Sequence, residues 1–162
     1  MGDELVALQR ELMLVNRHSI LGMADRYRGE VRLERSAYIL LSRIEAEGPM
    51  SIGQLAEAFG LDTSTINRQT AAMIRAGVAE RIADPEGGIA RKLRMTTEGR
   101  KRLREDREWA ENGLRRLLEN WTPTEIAQLL ECLTHFNESV EQRSGKPWPR
   151  PSPLCDTDPA GA

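Results

Sequence analysis

A run of short polar side chains between residues 63 and 69 has the composition of a surface that reads DNA bases. Its members are Thr63, Ser64, Thr65, Asn67, Arg68 and Gln69. Asn and Gln can pair with adenine through two hydrogen bonds, Arg with guanine, and Ser or Thr with phosphate or the thymine methyl group. Asn67 and Arg68 are the predicted base readers, and exposed amides around Ser51 are a predicted phosphate contact. The alternative interpretation is a solvated helix face whose Ser and Thr act only as caps.

The charge distribution favours a nucleic-acid partner although the chain is acidic overall, with a formal net charge of -2. Residues 1–59 carry 7 Lys/Arg and 9 Asp/Glu, residues 60–104 carry 10 and 5, and residues 105–162 carry 6 and 11. A basic middle between acidic ends can present a positive face to phosphates, and a dimer would present it twice.

Other kinds of chemistry find little support in the sequence. Cys132 and His135 are three residues apart and could share a metal ion, but a zinc site needs three or four protein ligands and no others are evident. We therefore expect core packing for Cys132, a free thiol for Cys155, and neither a metal nor a cofactor. His18 and His135 have no Ser or Cys partner that suggests a nucleophile, so we do not expect an enzyme.

The compartment follows from the start of the chain and from its hydropathy. Asp3 and Glu4 stand where a secretory signal would be basic and then apolar, and no apolar run reaches the length of a membrane span. These features predict a soluble cytoplasmic protein.

The predicted elements that position the polar run are mostly helices. Aromatic residues make up only 4% of the chain, so a core must consist mainly of Leu, Ile, Val, Met and Ala. Apolar spacing predicts a first helix from Asp3 to about Arg28 and a second around Leu33–Ile44, which ends at Gly48-Pro49. A capping box is predicted for the third helix, which begins at Ser51 and ends at Gly60. Asp62 is expected to cap a fourth helix that runs to Gly77.

Short alternating segments follow and predict a two-stranded hairpin over residues 78–83 and 89–96. A fifth helix is expected from Thr97, with an apolar stripe that includes Leu103 and extends to Trp121. Thr122-Pro123 and Glu125 form a strong start for a sixth helix. Residues 144–162 hold five of the eight prolines and are expected to form a flexible tail with little else to bury.

This order of elements and the local motifs resemble the MarR family of winged helix-turn-helix regulators. The segments that carry the resemblance lie at residues 48–51, 54–56, 62–68, 77–81 and 93–99, within a similarity that spans residues 3–143. The resemblance implies a mainly α fold with a small β-hairpin wing, in one domain over residues 1–143. Residues 30–100 would form the DNA-binding lobe, and residues 1–29 and 101–143 the dimerisation helices.

The wing departs from the family pattern. Where the family usually carries an Asp and, two residues later, an Arg that enters the minor groove, this sequence has Gly87 and Ile89. Arg91 follows Ile89 by two and would point to the same side of a strand, while Lys92 and Arg94 add charge nearby. Our hypothesis is that Arg91 replaces the missing contact.

The resemblance also implies a mechanism. A homodimer would bind an inverted-repeat operator in double-stranded DNA and repress transcription until a small aromatic or phenolic acid releases it. His18, Tyr38 and Trp109 are candidate effector-binding residues, with ordinary core or rim positions as the alternative. The competing function is a winged-helix protein-interaction module with weak or lost DNA binding, which the acidic total charge and Ile89 favour.

Overall fold

Six helices and three short strands make up the described residues, 2–18 and 33–150, of this computed structural model. The helices are α1 (Gly2–His18), α2 (Arg35–Glu47), α3 (Ile52–Phe59), α4 (Thr63–Arg75), α5 (Thr97–Leu117) and α6 (Pro123–Ser144). The strands are β1 (Met50–Ser51), β2 (Ala79–Ile82) and β3 (Lys92–Met95). The predicted helix order is confirmed, and the part of the first helix expected after His18 lies outside the described residues.

The core lies where α2, α3 and α4 meet the sheet and the start of α5. Leu41, Leu55, Ile66, Val78 and Leu103 are fully buried in it. The buried apolar residues are all Leu, Ile, Val, Met or Ala, as the low aromatic content predicts. Large-to-small changes at such positions remove both apolar burial and packing contacts, so this cluster determines the stability of the lobe.

The sheet has three strands rather than the two that the sequence predicted. Its order is β1-β3-β2 with antiparallel pairing, in which Met50 pairs with Leu93 and Ala79 with Met95. The strand β1 was missed because two residues are too short to show alternation. The predicted second strand also starts too early, since β3 begins at Lys92 and the residues from Ile89 to Arg91 lie in the loop.

Helix starts follow the predicted capping chemistry closely. The Ser51 hydroxyl accepts a hydrogen bond from the Gln54 amide at 3.2 Å, and the Gln54 side-chain oxygen accepts one from the Ser51 amide at 2.8 Å. Thr122 and Glu125 form the same reciprocal pair at the start of α6. Asp62 occupies the cap position of α4, but its side chain makes no capping hydrogen bond. Each satisfied cap removes orphan amides of a first turn.

Two helix ends also bear on the predictions. Gly77 has a φ of 72° directly after α4, which confirms the expected glycine stop. The helix α5 ends at Leu117, and Trp121 lies in the following turn, where its amide donates to the Leu118 carbonyl at 2.9 Å. The predicted apolar stripe of the fifth helix therefore ends before Trp121, because the chain leaves helical geometry after Leu117.

The apolar faces of α1 and α6 are largely exposed in the described part of the single chain. No residue of α6 is buried. The exposed apolar side chains of the two helices are Leu5, Val6, Leu8, Leu12, Met13, Val15, Ile126, Leu129, Leu130, Leu133, Phe136 and Val140. Cys132, on α6, is exposed, so the expectation that it packs in the core is wrong for the single chain.

Among the described residues, no helix combines the length and the apolar composition of a membrane-spanning segment.

Residues 145–150 contact the lobe instead of extending away from it. The Pro147 carbonyl accepts a hydrogen bond from Arg43, and the Trp148 ring lies against Phe59. The prediction of a flexible tail with little else to bury is therefore wrong for this stretch, because Trp148 supplies an apolar surface that packs against Phe59. Residues 151–162, including Cys155, lie outside the described residues.

Candidate nucleic-acid interface

The helices α3 and α4 form a tight pair whose turn depends on one glycine. Gly60 follows α3 with a φ of 61°, in the left-handed region that residues with a Cβ adopt at a cost. The inner face of α4 is buried through Ile66, Thr70 and Met73. The Thr70 hydroxyl donates to the Ile66 carbonyl at 2.8 Å, so its burial leaves no polar group unsatisfied. This packing fixes which face of α4 points outward.

The outward face of α4 carries the polar run that the sequence singled out. Thr63, Ser64, Asn67 and Arg68 are exposed in the first turns of the helix, and Thr65 and Gln69 are half-buried beside them. No hydrogen bond or ion pair to another described residue engages the side chain of Asn67 or Arg68. An exposed amide and an exposed guanidinium on adjacent positions are therefore available for an external partner.

Ser51 differs from the other predicted contacts because its polar groups are already used. Its hydroxyl and its amide both belong to the capping box with Gln54. A phosphate at the start of α3 would instead meet the amides of Ile52 and Gly53, which precede the first intrahelical donors.

The loop between β2 and β3 is held by an ion-pair cluster. The Lys92 ammonium lies 2.9 Å from Asp84 and 3.1 Å from Glu86, and Lys92 is only 8% exposed. The Asp84 carboxylate also accepts the Glu86 amide at 3.0 Å, and a Cβ on Gly88 would overlap it. Hydrogen bonding to Lys92 lowers the pKa of Asp84, and hydrogen bonding to Asp84 raises the pKa of Lys92. Lys92 is thus a buried, paired cation that holds the wing together, and the predicted contribution of its charge to DNA binding stays a prediction.

Sequence patterns do not reveal this cluster, because Asp84 and Lys92 approach each other only once the strands are in register. Arg94 is also paired, since its guanidinium lies 2.8 Å from Glu80 on the neighbouring strand. Arg91 is exposed and makes no ion pair within the described part of the chain. Ile89 is 105% exposed. Both precede β3, so the strand alternation that was to place them on one side does not apply.

Comparison with known proteins settles the family. The MarR family model matches residues 33–87. The uncharacterized HTH-type transcriptional regulator YxaD of Bacillus subtilis is 33% identical over 107 residues, which are 66% of this chain and 75% of that protein. This chain belongs to the MarR family. It is a MarR family transcriptional regulator with a winged-helix fold.

Solved MarR structures share the fold at low sequence identity. A MarR family protein from Bacillus stearothermophilus gives a TM-score of 0.70 at 21% identity, over 86% of this chain and 98% of that chain. A MarR variant from E. coli complexed with operator DNA gives a TM-score of 0.64 at 19% identity, over 84% and 97% of the two chains.

The structure describes two of the three predicted effector-binding side chains of this MarR protein. Tyr38 on α2 and Trp109 on α5 are half-buried, and these two helices pack against each other. The His18 side chain lies outside the described residues. Their role in a pocket stays a prediction. Among the described side chains, no group of three or more His, Cys, Asp or Glu is arranged to hold a metal ion.

Proposed function

We propose that this MarR protein binds operator DNA as a homodimer, with α4 in the major groove and the wing beside the adjacent minor groove. The observation that carries the proposal is the outward face of α4, where Asn67 and Arg68 are exposed and unpaired among the described residues. Both side chains can make two hydrogen bonds to one base, so a single helix face can discriminate sequence. The E. coli relative bound to operator DNA has a similar fold, which supports the proposal. Binding to DNA would place the protein in the cytoplasm.

The homodimer is supported by the exposed apolar faces of α1 and α6. Exposed large apolar side chains that recur at helical spacing mark an interaction surface. A two-fold axis through such a surface buries the same residues of both chains. Two copies of α4 would then read an inverted repeat with half-sites about 10 base pairs apart.

Repression and its relief by a small aromatic acid complete the proposal. A ligand that binds better to a lobe spacing which does not fit the operator would shift the population away from the DNA-bound form. Tyr38 and Trp109 combine aromatic surface with polar atoms near the contact of α2 and α5, which is where such a ligand would act. Thermal shift against a panel of aromatic acids would test this part, and a Tyr38→Ala chain serves as the comparison.

Selection from random duplex DNA tests the central proposal. We expect the purified protein to enrich an inverted repeat, and its affinity to fall as salt rises because phosphate contacts release counterions. A pool without enrichment, with weak binding that depends only on salt, would contradict it. That outcome would favour the protein-interaction module, for which the fully exposed Ile89 at the wing is the supporting observation.

A further inference from the structure

Arg43 is a buried cation that lies outside both α4 and the wing. It lies on α2 and is only 8% exposed. Its guanidinium donates to both carboxylate oxygens of Glu47, at 2.7 and 3.0 Å, and to the Pro147 carbonyl at 2.8 Å. The Trp148 ring covers it, with the guanidinium carbon 5.4 Å from the ring centroid. Burial of a charge is costly without partners, and here residues 147 and 148 supply a large part of them.

The same segment, residues 145–150, reaches the helix-turn-helix; we call it the C-terminal strap. The Trp148 ring meets Phe59, at the end of α3, edge to face with centroids 6.0 Å apart. Lys146 crosses the turn between α3 and α4 so closely that a Cβ on Gly60 would overlap its ammonium. The strap therefore contacts the turn that orients α4.

The other side of the strap is fixed to α6. The Lys146 amide donates to the Glu141 carbonyl at 3.2 Å, directly after α6 ends. Arg150 folds back and donates two hydrogen bonds to the Glu141 carboxylate, at 2.8 and 2.7 Å, which lowers the pKa of Glu141. A bidentate pair of this kind constrains direction as well as distance.

We propose that the C-terminal strap is a positioning element that sets the angle between α6 and the helix-turn-helix, and with it the spacing of the two recognition helices on DNA. The inference rests on the proposed DNA-binding homodimer. The helix α5 starts inside the lobe at buried Leu103 and packs against α2, which attaches the lobe to the dimerisation helices. The strap adds a further attachment on α2, α3 and the turn between α3 and α4, and it ties these elements to α6 and not to α5. A lobe held at both places presents α4 at one preferred separation from its copy.

The test compares two variants of the full chain. Trp148→Ala/Arg150→Ala removes the ring contacts and the pair with Glu141. Trp148→Phe keeps an aromatic ring and leaves Arg150 paired with Glu141, and it serves as the matched control. Each protein is titrated with the selected inverted repeat, with repeats whose spacing is changed by one or two base pairs, and with a single half-site. Sedimentation and thermal unfolding report whether each variant remains a folded dimer.

We expect the alanine variant to bind the single half-site within about twofold of wild type but to lose roughly tenfold on the selected repeat, because the second half-site no longer meets a preset partner. Its preference for one spacing should largely disappear, and the control should behave as wild type does. An unchanged spacing preference would overturn the proposal. An equal loss on half-site and repeat would also overturn it, because that result indicates only a weakened lobe.

Failure of the underlying DNA-binding proposal would look different. In that case the wild-type protein itself would select no repeat, and both proposals would fall together. If the double variant does not fold, Arg150→Ala is compared with Arg143→Ala, which removes an exposed cation from the end of α6 and leaves the pair of Arg150 with Glu141 intact. Arg43 keeps its aromatic cover in both variants.

Discussion

At the residue scale, the predicted DNA contacts differ in whether their side chains already have partners. Among the described residues, Asn67, Arg68 and Arg91 are exposed and make no side-chain hydrogen bond or ion pair, whereas Lys92 and Arg94 are paired with acidic neighbours. Residue type alone could not separate these cases, because an ion pair across a hairpin depends on register. The structure therefore shows which of these side chains are available to an external partner, and their contacts with bases or phosphates stay predictions.

Replacing Arg68 with Ala should weaken operator binding by about 1–3 kcal/mol and relax the preference at one base position, because a bidentate contact to a base is lost. Selection of random duplexes on wild type and variant measures both effects. Arg116→Ala, which removes an exposed cation from α5 outside the lobe, is the control and should leave the selected motif unchanged. Loss of affinity with an unchanged motif would show that Arg68 contacts phosphate and not a base.

Replacing Arg91 with Ala should lower affinity for operator and scrambled DNA alike and reduce the salt slope by about one, as expected when a single phosphate contact is removed. Titrations at several salt concentrations measure the slope. The control is Arg94→Ala, whose guanidinium already pairs with Glu80, and it should change the slope less. If Arg91→Ala leaves affinity and slope as they are, Arg91 does not replace the missing wing arginine.

At the scale of elements, the sequence predicted the helices and their starts more accurately than it predicted the strand boundaries. Ser51 with Gln54 and Thr122 with Glu125 are local pairs that a sequence displays directly, and both are present. The strand β1 and the cluster around Lys92 depend on pairing between residues far apart in sequence, which local patterns do not encode. The prediction for the tail failed for a related reason, since Trp148 packs against Phe59, which lies about ninety positions earlier in the sequence.

The ion pair of Asp84 and Lys92 should make the wing sensitive to acid. Because the folded chain lowers the pKa of Asp84 from its ordinary 3.8, the stabilisation is present above that value and is lost as pH falls through the lower folded value. Lys92 is affected in the opposite direction, so its contribution is present below 10.5 and is lost as pH rises through the raised folded value.

Asp84→Asn should therefore unfold at a lower temperature than wild type at neutral pH, with the difference shrinking as pH falls below the ordinary value for Asp84. Thermal unfolding across pH measures it. Glu86→Gln is the matched control, because the Glu86 side chain is mostly exposed and should matter less. A difference between Asp84→Asn and wild type that stays constant from neutral to strongly acidic pH would contradict an electrostatic role.

At the scale of the whole molecule, the proposed reading of an inverted repeat requires two copies of the chain. The lobe has its own buried core, while α6 has no buried residue in the single chain. Contacts within one chain can therefore stabilise the lobe, whereas α6 would be stabilised by contacts with a second chain.

Leu130→Glu should place a charge in the proposed interface and yield a monomer with a folded lobe, because an unpaired charge there is costly to bury. Sedimentation and circular dichroism measure this, and Gln128→Glu on the same helix is the control. A Leu130→Glu chain that stays dimeric would move the interface elsewhere.

In the proposed function, this MarR protein reads DNA sequence through α4. The measurement that decides this is the affinity of the wild-type protein for the selected inverted repeat, compared at physiological salt with its affinity for a scrambled duplex of equal length. We predict at least about a thousandfold preference for the repeat, the range in which specific regulators operate. Equal affinities for the two duplexes, both falling together as salt rises, would contradict sequence recognition and leave the protein-contact function as the better explanation.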